Sequence, residues 1–143
     1  MKKLFVAGLA FVSLTAFANP YNFKITRVID GDTVAFQADF LPAPLKPELS
    51  IRVLGVDTPE KGHRAECPKE AAAAEKASQF TKDSLNAAIK AGQPIMIEIQ
   101  KHDKFGGRVL GDVIINGQRL SAMLIANGHA RPYHGEKKTS WCN

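Results

Sequence analysis

The stretch that decides the fold covers residues 22 to 40 and reads NFKITRVIDGDTVAFQADF. Apolar residues recur through residues 23–29 and then alternate with polar or small ones from Val34 to Phe40. Such patterns are typical of half-buried β-strands, and an Asp-Gly pair between them favours a tight turn. The stretch therefore predicts two strands, Asn22 to Ile29 and Val34 to Phe40, joined at Asp30-Gly31.

Three more strands are predicted beyond this hairpin. Residues 41–50 carry three prolines, which lack a backbone N–H and restrict φ, so we expect this segment to be a loop. Short apolar or alternating runs then predict strands at Ile51–Val56, Ile95–Gln100 and Val109–Ile115.

Two helices complete the pattern. Pro68 suits the first turn of a helix, and the Ala-rich run up to Ala91 favours one long helix that ends before Gly92. A short helix is predicted from Ser121 to Asn127. This order of elements predicts a mainly β fold with α, most simply a five-stranded OB-fold barrel with one long and one short helix. Helical spacing predicts that the long helix packs through Ala73, Ala77, Phe80, Ser84 and Ala88.

The composition is that of an ordinary globular domain with an export signal. The 143 residues include 19 Lys and Arg against 14 Asp and Glu, and this net charge of +5 is compatible with an anionic partner but modest. Lys2 and Lys3 precede an apolar run with a small-x-small ending at Ala18, which is typical of a cleaved signal peptide. The run is shorter than the roughly 20 residues of a membrane span. We therefore expect cleavage after Ala18, export, and a single domain over residues 19–143.

Cys67 and Cys142 are the two cysteines of the chain. In an oxidising compartment a disulfide is the favoured state of such a pair. A metal pair or a catalytic thiol are the alternatives, but neither cysteine belongs to a Cys-x-x-Cys motif. We therefore expect a disulfide between Cys67 and Cys142.

Three segments place charged residues where strands begin or end, and they define the candidate site. They are Asp30-Gly31-Asp32-Thr33, the run from Arg52 to Glu60, and the run from His102 to Arg108. Each also has an ordinary interpretation, respectively a hairpin turn, a strand end with solvated charges, and a glycine-rich hairpin loop. Arg52 shares its predicted strand phase with Leu54 and Val56, so we expect its side chain on their face, where a cation needs a partner.

Taken together, the segments supply hard oxygen donors and two cations. Asp32, Asp57 and Glu60 offer carboxylates, and no His/Cys cluster has zinc spacing, so this donor set suits Ca²⁺ or Mg²⁺ rather than Zn²⁺. Arg52 and Arg108 come from different strands. A hard cation with two guanidinium groups can stabilise the negative charge that builds up in phosphoryl transfer, and a free carboxylate can orient or deprotonate water.

In this order the motifs resemble those of the thermonuclease (staphylococcal nuclease-like) family. The resemblance runs from about Thr26 to Tyr133, and its last motif is Asp103-Lys104-Phe105-Gly-Gly-Arg108. It implies an OB-fold barrel and Ca²⁺-dependent hydrolysis of DNA and RNA that leaves 3′-phosphate ends. Ca²⁺ is thus the expected cofactor, ahead of Mg²⁺.

The resemblance also implies a role for each matching residue near the metal. Asp32 and Asp57 would bind one Ca²⁺ through their carboxylates, and Thr58 would add its backbone carbonyl. Asp30 would not bind the ion itself but would support the residues that do.

The catalytic roles implied by the resemblance fall on three residues. Glu60 would hold or activate the attacking water, while Arg52 and Arg108 would act on the phosphate from two sides. The family usually has one glycine before this last arginine, whereas Gly106 and Gly107 both precede Arg108 here. A bulge could absorb the extra residue. Because 15 residues follow Gly128 in this sequence, we also expect the fold to lack the long third helix of the best-known member.

Four further residues are candidates for substrate contacts. Phe105 and Tyr133 could stack on a base or sugar, or they could be partly buried packing residues. Lys104 and Arg131 could contact phosphates, or they could be solvated charges. DNA and RNA are the expected partners, with no stable membrane association. The alternatives are a catalytically inactive OB-fold nucleic-acid-binding module and an exported inhibitor or structural domain.

Overall fold

The computed structural model describes residues 20–42 and 48–143, so the predicted signal peptide lies outside the described residues. Those ranges contain eight strands, two α-helices and one 3₁₀ turn at Gly62–Arg64. In chain order the elements are β1 (Ile25–Asp30), β2 (Thr33–Gln37), β3 (Glu48–Val53), β4 (Val56–Asp57), α1 (Pro68–Lys90), β5 (Ile95–His102), β6 (Arg108–Ile115), β7 (Gln118–Arg119), α2 (Leu120–Ala126) and β8 (Arg131–Pro132).

Six of the strands form a mixed sheet and the other two form a small second sheet, which confirms a mainly β fold with α. Neighbouring strands follow the order β1-β2-β3-β6-β5, with β7 paired to β6, while β4 pairs with β8. The β3–β6 pair is parallel. The predicted count of five strands is not confirmed, because the described residues include three further strands of two residues each. Closure into a barrel stays a prediction, since the sheet path ends at β1 and β5.

The predicted hairpin is present as β1 and β2, with Asp30 opposite Thr33. The next strand differs from its prediction at its start. β3 begins at Glu48, inside the predicted loop, because Glu48 pairs with Gln37 of β2 and extends the ladder. Residues 43–47 of that loop lie outside the described residues.

β3 also ends earlier than predicted, and this changes the environment of Arg52. The strand ends at Val53, and Gly55 with a φ of +78° turns the chain before β4. Ile51 and Val53 are fully buried in the core, so Arg52 lies on the opposite face of the strand. The expectation that Arg52 shares a face with Val56 is therefore wrong, because the chain turns at Gly55 and Val56 is buried in the core, whereas Leu54 is half-buried like Arg52.

Helix α1 begins and ends close to its predicted limits. The Sγ atom of Cys67 accepts a hydrogen bond from the backbone N–H of Glu70 at 3.4 Å, and Pro68 occupies the first turn. Gly92 follows the helix with a φ of +65°. The predicted packing face is only partly correct, since Ala77 and Ala88 are buried but Ala73, Phe80 and Ser84 are half-buried. The buried face is instead formed by Glu70, Ala74, Ala77, Ser78, Thr81, Leu85 and Ala88.

The contact between α1 and the first hairpin explains this rotation of the buried face. The hydroxyl of Thr81 donates a hydrogen bond of 2.7 Å to the carbonyl of Gly31. A Cβ atom at Gly31 would lie only 2.8 Å from Cβ of Ala77, so glycine is required for this close approach. The helix therefore holds the turn that carries Asp30 and Asp32.

The core lies between the sheet and the two helices. Its fully buried large side chains include Phe36, Ile51, Leu85, Ile97, Leu120 and Leu124. Neither helix of the described ranges combines the length and apolar character that a membrane crossing requires.

The Cys67–Cys142 disulfide is confirmed, with a Cα–Cα distance of 6.0 Å. It joins the N-cap of α1 to the C-terminal tail, which we define as residues 137–143. The tail therefore lies beside the segment that leads from β4 to α1.

Candidate active site

Six of the predicted site residues line one polar pocket of about 40 Å³. They come from the β1–β2 turn, from β3, from the segment after β4 and from the first residue of β6. Segments that are distant in sequence therefore converge at one place. The six residues are Asp30, Asp32, Arg52, Thr58, Glu60 and Arg108.

Asp32 is the buried carboxylate at the centre of this group. It is 5% exposed, its Oδ1 accepts a hydrogen bond of 2.9 Å from the Thr33 hydroxyl, and its Oδ2 lies 3.3 Å from Nη2 of Arg52. Burial raises the pKa of Asp32 above its ordinary value of 3.8, and Arg52 with the Thr33 and Thr58 hydroxyls opposes this only in part. Its surroundings therefore under-compensate the negative charge, and a further cation would relieve this.

Asp57 is the second buried carboxylate, and the tail supplies its partners. Oδ2 accepts a hydrogen bond of 3.1 Å from the indole N–H of Trp141. Oδ1 is 2.6 Å from Nζ of Lys138, yet it has no aligned hydrogen-bond donor within residues 20–42 and 48–143. Although burial opposes it, the contact with Asp57 raises the pKa of Lys138 above 10.5, which keeps the ammonium charged.

Glu60 lies at the edge of the same pocket and is held by its backbone and by cations. Its N–H donates to Oε1 of buried Glu70 at 3.0 Å. Its carboxylate lies 3.4 Å from Nε of Arg64 and 3.5 Å from Nζ of Lys138. A hydrogen bond to Asp30 raises the pKa of Arg64, whose Nη2 lies 3.1 Å from Oδ2 of that residue. Arg64 therefore connects the predicted supporting carboxylate to Glu60.

Arg108 reaches the pocket despite the extra glycine. Gly107 has a φ of +76°, and its carbonyl accepts a hydrogen bond of 2.9 Å from the N–H of Ser50. The turn therefore accommodates the additional residue, and Arg108 enters β6 opposite Ser50. The Asp103 carboxylate accepts a short hydrogen bond from Nε of Arg108, and the guanidinium lies 4.8 Å from the centre of the Phe105 ring.

The four candidate substrate contacts lie in different surroundings. Phe105 is 55% exposed and Lys104 is exposed beside it, so both are available to a ligand. Tyr133 is half-buried, with Nζ of Lys138 at 5.6 Å from its ring centre. Arg131 is half-buried and lines neither pocket of the site, because it stacks on Trp141 at 3.8 Å and donates hydrogen bonds to the tail.

Four residues of the site were not among the predicted ones: Arg64, Glu70, Lys138 and Trp141. Arg64 follows Glu60 by one helical turn, a spacing that could have suggested the pair. The other signal was the disulfide, because Cys142 brings residues 138–141 to the carboxylates. A second pocket of about 110 Å³ has Asp57, Thr58 and Glu60 on one side and residues 138–141 on the other.

The donors present fit a hard divalent cation: Asp32 lines the first pocket, Asp57 lines the second, and Thr58 lines both. Asp32, Asp57 and Thr58 supply only oxygen donors, as Ca²⁺ requires. Two observations support the fit: the buried Asp57 carboxylate already holds a cation, Nζ of Lys138, 2.6 Å from its Oδ1, and the carboxylate of Asp32 is buried with incomplete charge compensation.

The chain is similar to known proteins over most of its length. The chain is 33% identical over 115 residues to a protein of Staphylococcus hyicus named thermonuclease, an alignment that covers 80% of this chain and 60% of that relative. The chain thus spans somewhat under two thirds of the relative's length. The sequence model of a family described as staphylococcal nuclease homologue matches residues 50–141, which include Arg52, Asp57, Glu60 and Arg108. Because this match covers more than half of the chain, the protein belongs to the staphylococcal nuclease homologue family.

Proposed function

We propose that this protein is a nuclease that hydrolyses phosphodiester bonds of DNA and RNA with low sequence specificity. The observation that carries the proposal is the single pocket in which Arg52 and Arg108, from parallel strands, face the carboxylates of Asp32 and Glu60. Family membership and the thermonuclease relative support it. Paired guanidinium groups beside a water-activating carboxylate are the equipment that phosphodiester hydrolysis needs.

Each residue contributes one part of the proposed reaction. Arg52 and Arg108 bind the non-bridging phosphate oxygens and stabilise the negative charge that the transition state adds. Glu60 orients a water molecule and accepts its proton as the water oxygen bonds to phosphorus. The bond from phosphorus to the 5′ oxygen breaks, this oxygen takes a proton from solvent, and the phosphate stays on the 3′ end.

Ca²⁺ is the cofactor we propose, with Mg²⁺ less suitable. Asp32, Asp57 and the backbone carbonyl of Thr58 would hold it, and Asp30 would keep Asp32 and Arg64 in position. When bound, the ion supplies positive charge beside the phosphate. The oxygen-only donor set, with one backbone carbonyl, favours Ca²⁺, because Mg²⁺ demands a tighter octahedral geometry.

Substrate binding is proposed to use the exposed side of the pocket. Lys104 would contact a neighbouring phosphate, while Phe105 and Tyr133 would stack on a base or sugar. An inactive binding module was the main alternative, and its one favourable feature was the extra glycine. The position of Arg108 in the pocket removes that support.

Two proposals concern the chain as a whole. We propose that the protein is exported after cleavage behind Ala18, and the disulfide supports an oxidising destination. We also propose that the sheet closes into an OB-fold barrel between β1 and β5. Tyr21, just before β1, and Ile97, in β5, exchange two backbone hydrogen bonds of 2.8 and 2.7 Å. These bonds support such closure.

The function is tested by incubating the purified protein with single-stranded DNA and with RNA, in Ca²⁺ or in a chelator. We expect fragments with 3′-phosphate ends in Ca²⁺ and none in the chelator. Glu60→Gln and Arg52→Ala should each lower kcat by about 10² to 10⁴-fold, since each removes a transition-state interaction. Glu75→Gln, on an exposed face of α1, is the matched control and should keep full activity.

Three results would count against these assignments. Full cleavage in the chelator would exclude the metal role, and near-normal kcat in both site variants would exclude the catalytic roles. Binding of single-stranded DNA without cleavage would favour the inactive module.

A further inference from the structure

We propose that Lys138 is a resident cation of the metal site, which occupies the carboxylates until a divalent ion displaces it. This inference rests on the proposed function, because it concerns the same site. It assigns the C-terminal tail a task in metal binding that neither family membership nor the site residues themselves require.

The position of the ammonium group is the first observation. Nζ of Lys138 lies 2.6 Å from Oδ1 of Asp57 and 3.5 Å from Oε1 of Glu60. It therefore bridges one proposed metal ligand and the proposed water-activating carboxylate. A divalent ion held by Asp57 would meet a like charge at contact distance, and repulsion between the two would be strong in a partly buried site. Lys138 and the ion therefore compete for the Asp57 carboxylate.

The second observation is that the tail is anchored around the second pocket, which it lines together with Asp57, Thr58 and Glu60. Cys142 is bonded to Cys67, and the Trp141 indole donates to the same carboxylate that Lys138 contacts. The Ser140 hydroxyl donates to Oε2 of Glu66 at 2.9 Å. Three consecutive residues thus fix the tail next to Lys138, and they raise the local concentration of its ammonium group at the site.

Lys138 itself is free enough to leave. Its side chain is 42% exposed, whereas the Asp57 side chain is 7% exposed. The lysine can therefore swing into solvent without unpacking the core, while the carboxylate stays in place. We infer that metal binding exchanges one cation for another at fixed ligands, and that the disulfide keeps the lysine in position to return.

The experiment measures Ca²⁺ affinity by isothermal titration calorimetry on the full oxidised chain, Lys138→Met and Lys137→Met. Lys137 is the matched control, because it is adjacent, exposed and equal in charge. Trp141 is the one tryptophan of the chain and donates to Asp57, so its fluorescence provides an independent binding curve. We expect Lys138→Met to bind Ca²⁺ about tenfold more tightly, and Lys137→Met to stay within about twofold of the unaltered chain.

A double variant tests the tether. Cys67→Ser with Cys142→Ser removes the disulfide, and serine at position 67 preserves an N-cap for α1. We expect its Ca²⁺ affinity to rise toward that of Lys138→Met.

The outcomes separate this inference from the proposed function. Equal Ca²⁺ affinities of Lys138→Met and Lys137→Met, or weaker binding by Lys138→Met, would overturn the resident-cation role and leave the Ca²⁺ site intact. Absence of Ca²⁺ binding in every variant would overturn both the metal site and the inference.

Discussion

Glu70 offers the sharpest test of how the scaffold positions Glu60. This residue lies in the first turn of α1 and is 3% exposed. Its two carboxylate oxygens accept the backbone N–H groups of Glu60 at 3.0 Å and of Glu66 at 2.7 Å. One side chain therefore holds both ends of the segment between β4 and α1. We predict that Glu70→Gln loosens this segment without changing the volume of the side chain.

The magnitude follows from the hydrogen bonds that glutamine cannot make. Its amide retains one oxygen, so one of the two N–H donors loses its acceptor and faces an NH₂ group instead. A hydrogen bond to a charged group is worth about 1.5 to 3 kcal/mol, so we expect a loss of about 2 to 3 kcal/mol in the free energy of unfolding. Because Glu60 then samples more positions, kcat should fall about tenfold while KM changes by less than about threefold.

Urea denaturation and steady-state kinetics measure these two effects, with Glu75→Gln as the control. Glu75 is on the same helix, but its side chain is 72% exposed and its contact with Lys61 is 3.9 Å long. Its replacement should change the unfolding free energy by less than about 0.5 kcal/mol. The reasoning is refuted if Glu70→Gln unfolds with the same free energy as Glu75→Gln. A stability loss without a change in kcat would show that Glu70 supports the fold but does not position Glu60.

Two further predictions concern stability. The double variant Cys67→Ser with Cys142→Ser opens a loop of 75 residues, and the chain-entropy relation predicts a loss of at most about 4.5 kcal/mol in the free energy of unfolding. Urea denaturation measures this loss, and a value below about 1 kcal/mol would contradict the prediction. The hydrogen bond from Arg119 lowers the pKa of Glu98 below 4.5, so their pair stabilises the folded chain above that pH, and this contribution disappears as the pH falls through the folded pKa. The difference in unfolding free energy between the unaltered chain and Arg119→Gln should therefore be full at neutral pH and shrink as the pH falls below the ordinary pKa of 4.5, whereas a difference that does not change with pH would exclude this linkage.

Features with a local cause could be predicted from the sequence. The β1–β2 hairpin follows from alternation around Asp30-Gly31, and α1 follows from Pro68 and the Ala-rich run after it. The grouping of Asp32, Arg52 and Arg108 could also be predicted, because the order of the motifs matched a family whose members share a site.

Features with a long-range cause could not be predicted in the same way. The buried face of α1 depends on long-range contacts, among them the hydrogen bond from Thr81 to a carbonyl 50 residues away and the close approach of Ala77 to Gly31. Val56 is out of phase with Arg52 because a turn at Gly55 interrupts an apparently continuous apolar run. The contacts of Lys138 with the carboxylates require the tail to fold back across the site, and local periodicity carries no information about such a return.

The parallel pairing of β3 with β6 has a consequence for the order of folding. Arg52 and Arg108 share a pocket only after these two strands, which are separated by more than 50 residues, have paired. High contact order makes such pairing slow, because the entropy of closing a long loop is lost before the strands gain their contacts. A chain with only its β1–β2 hairpin and α1 formed would hold Asp32 but would have neither Arg52 of β3 nor Arg108 of β6 in place. Hydrolytic competence should therefore appear with the last cooperative step of folding, so that partly folded chains carry the motifs without the activity.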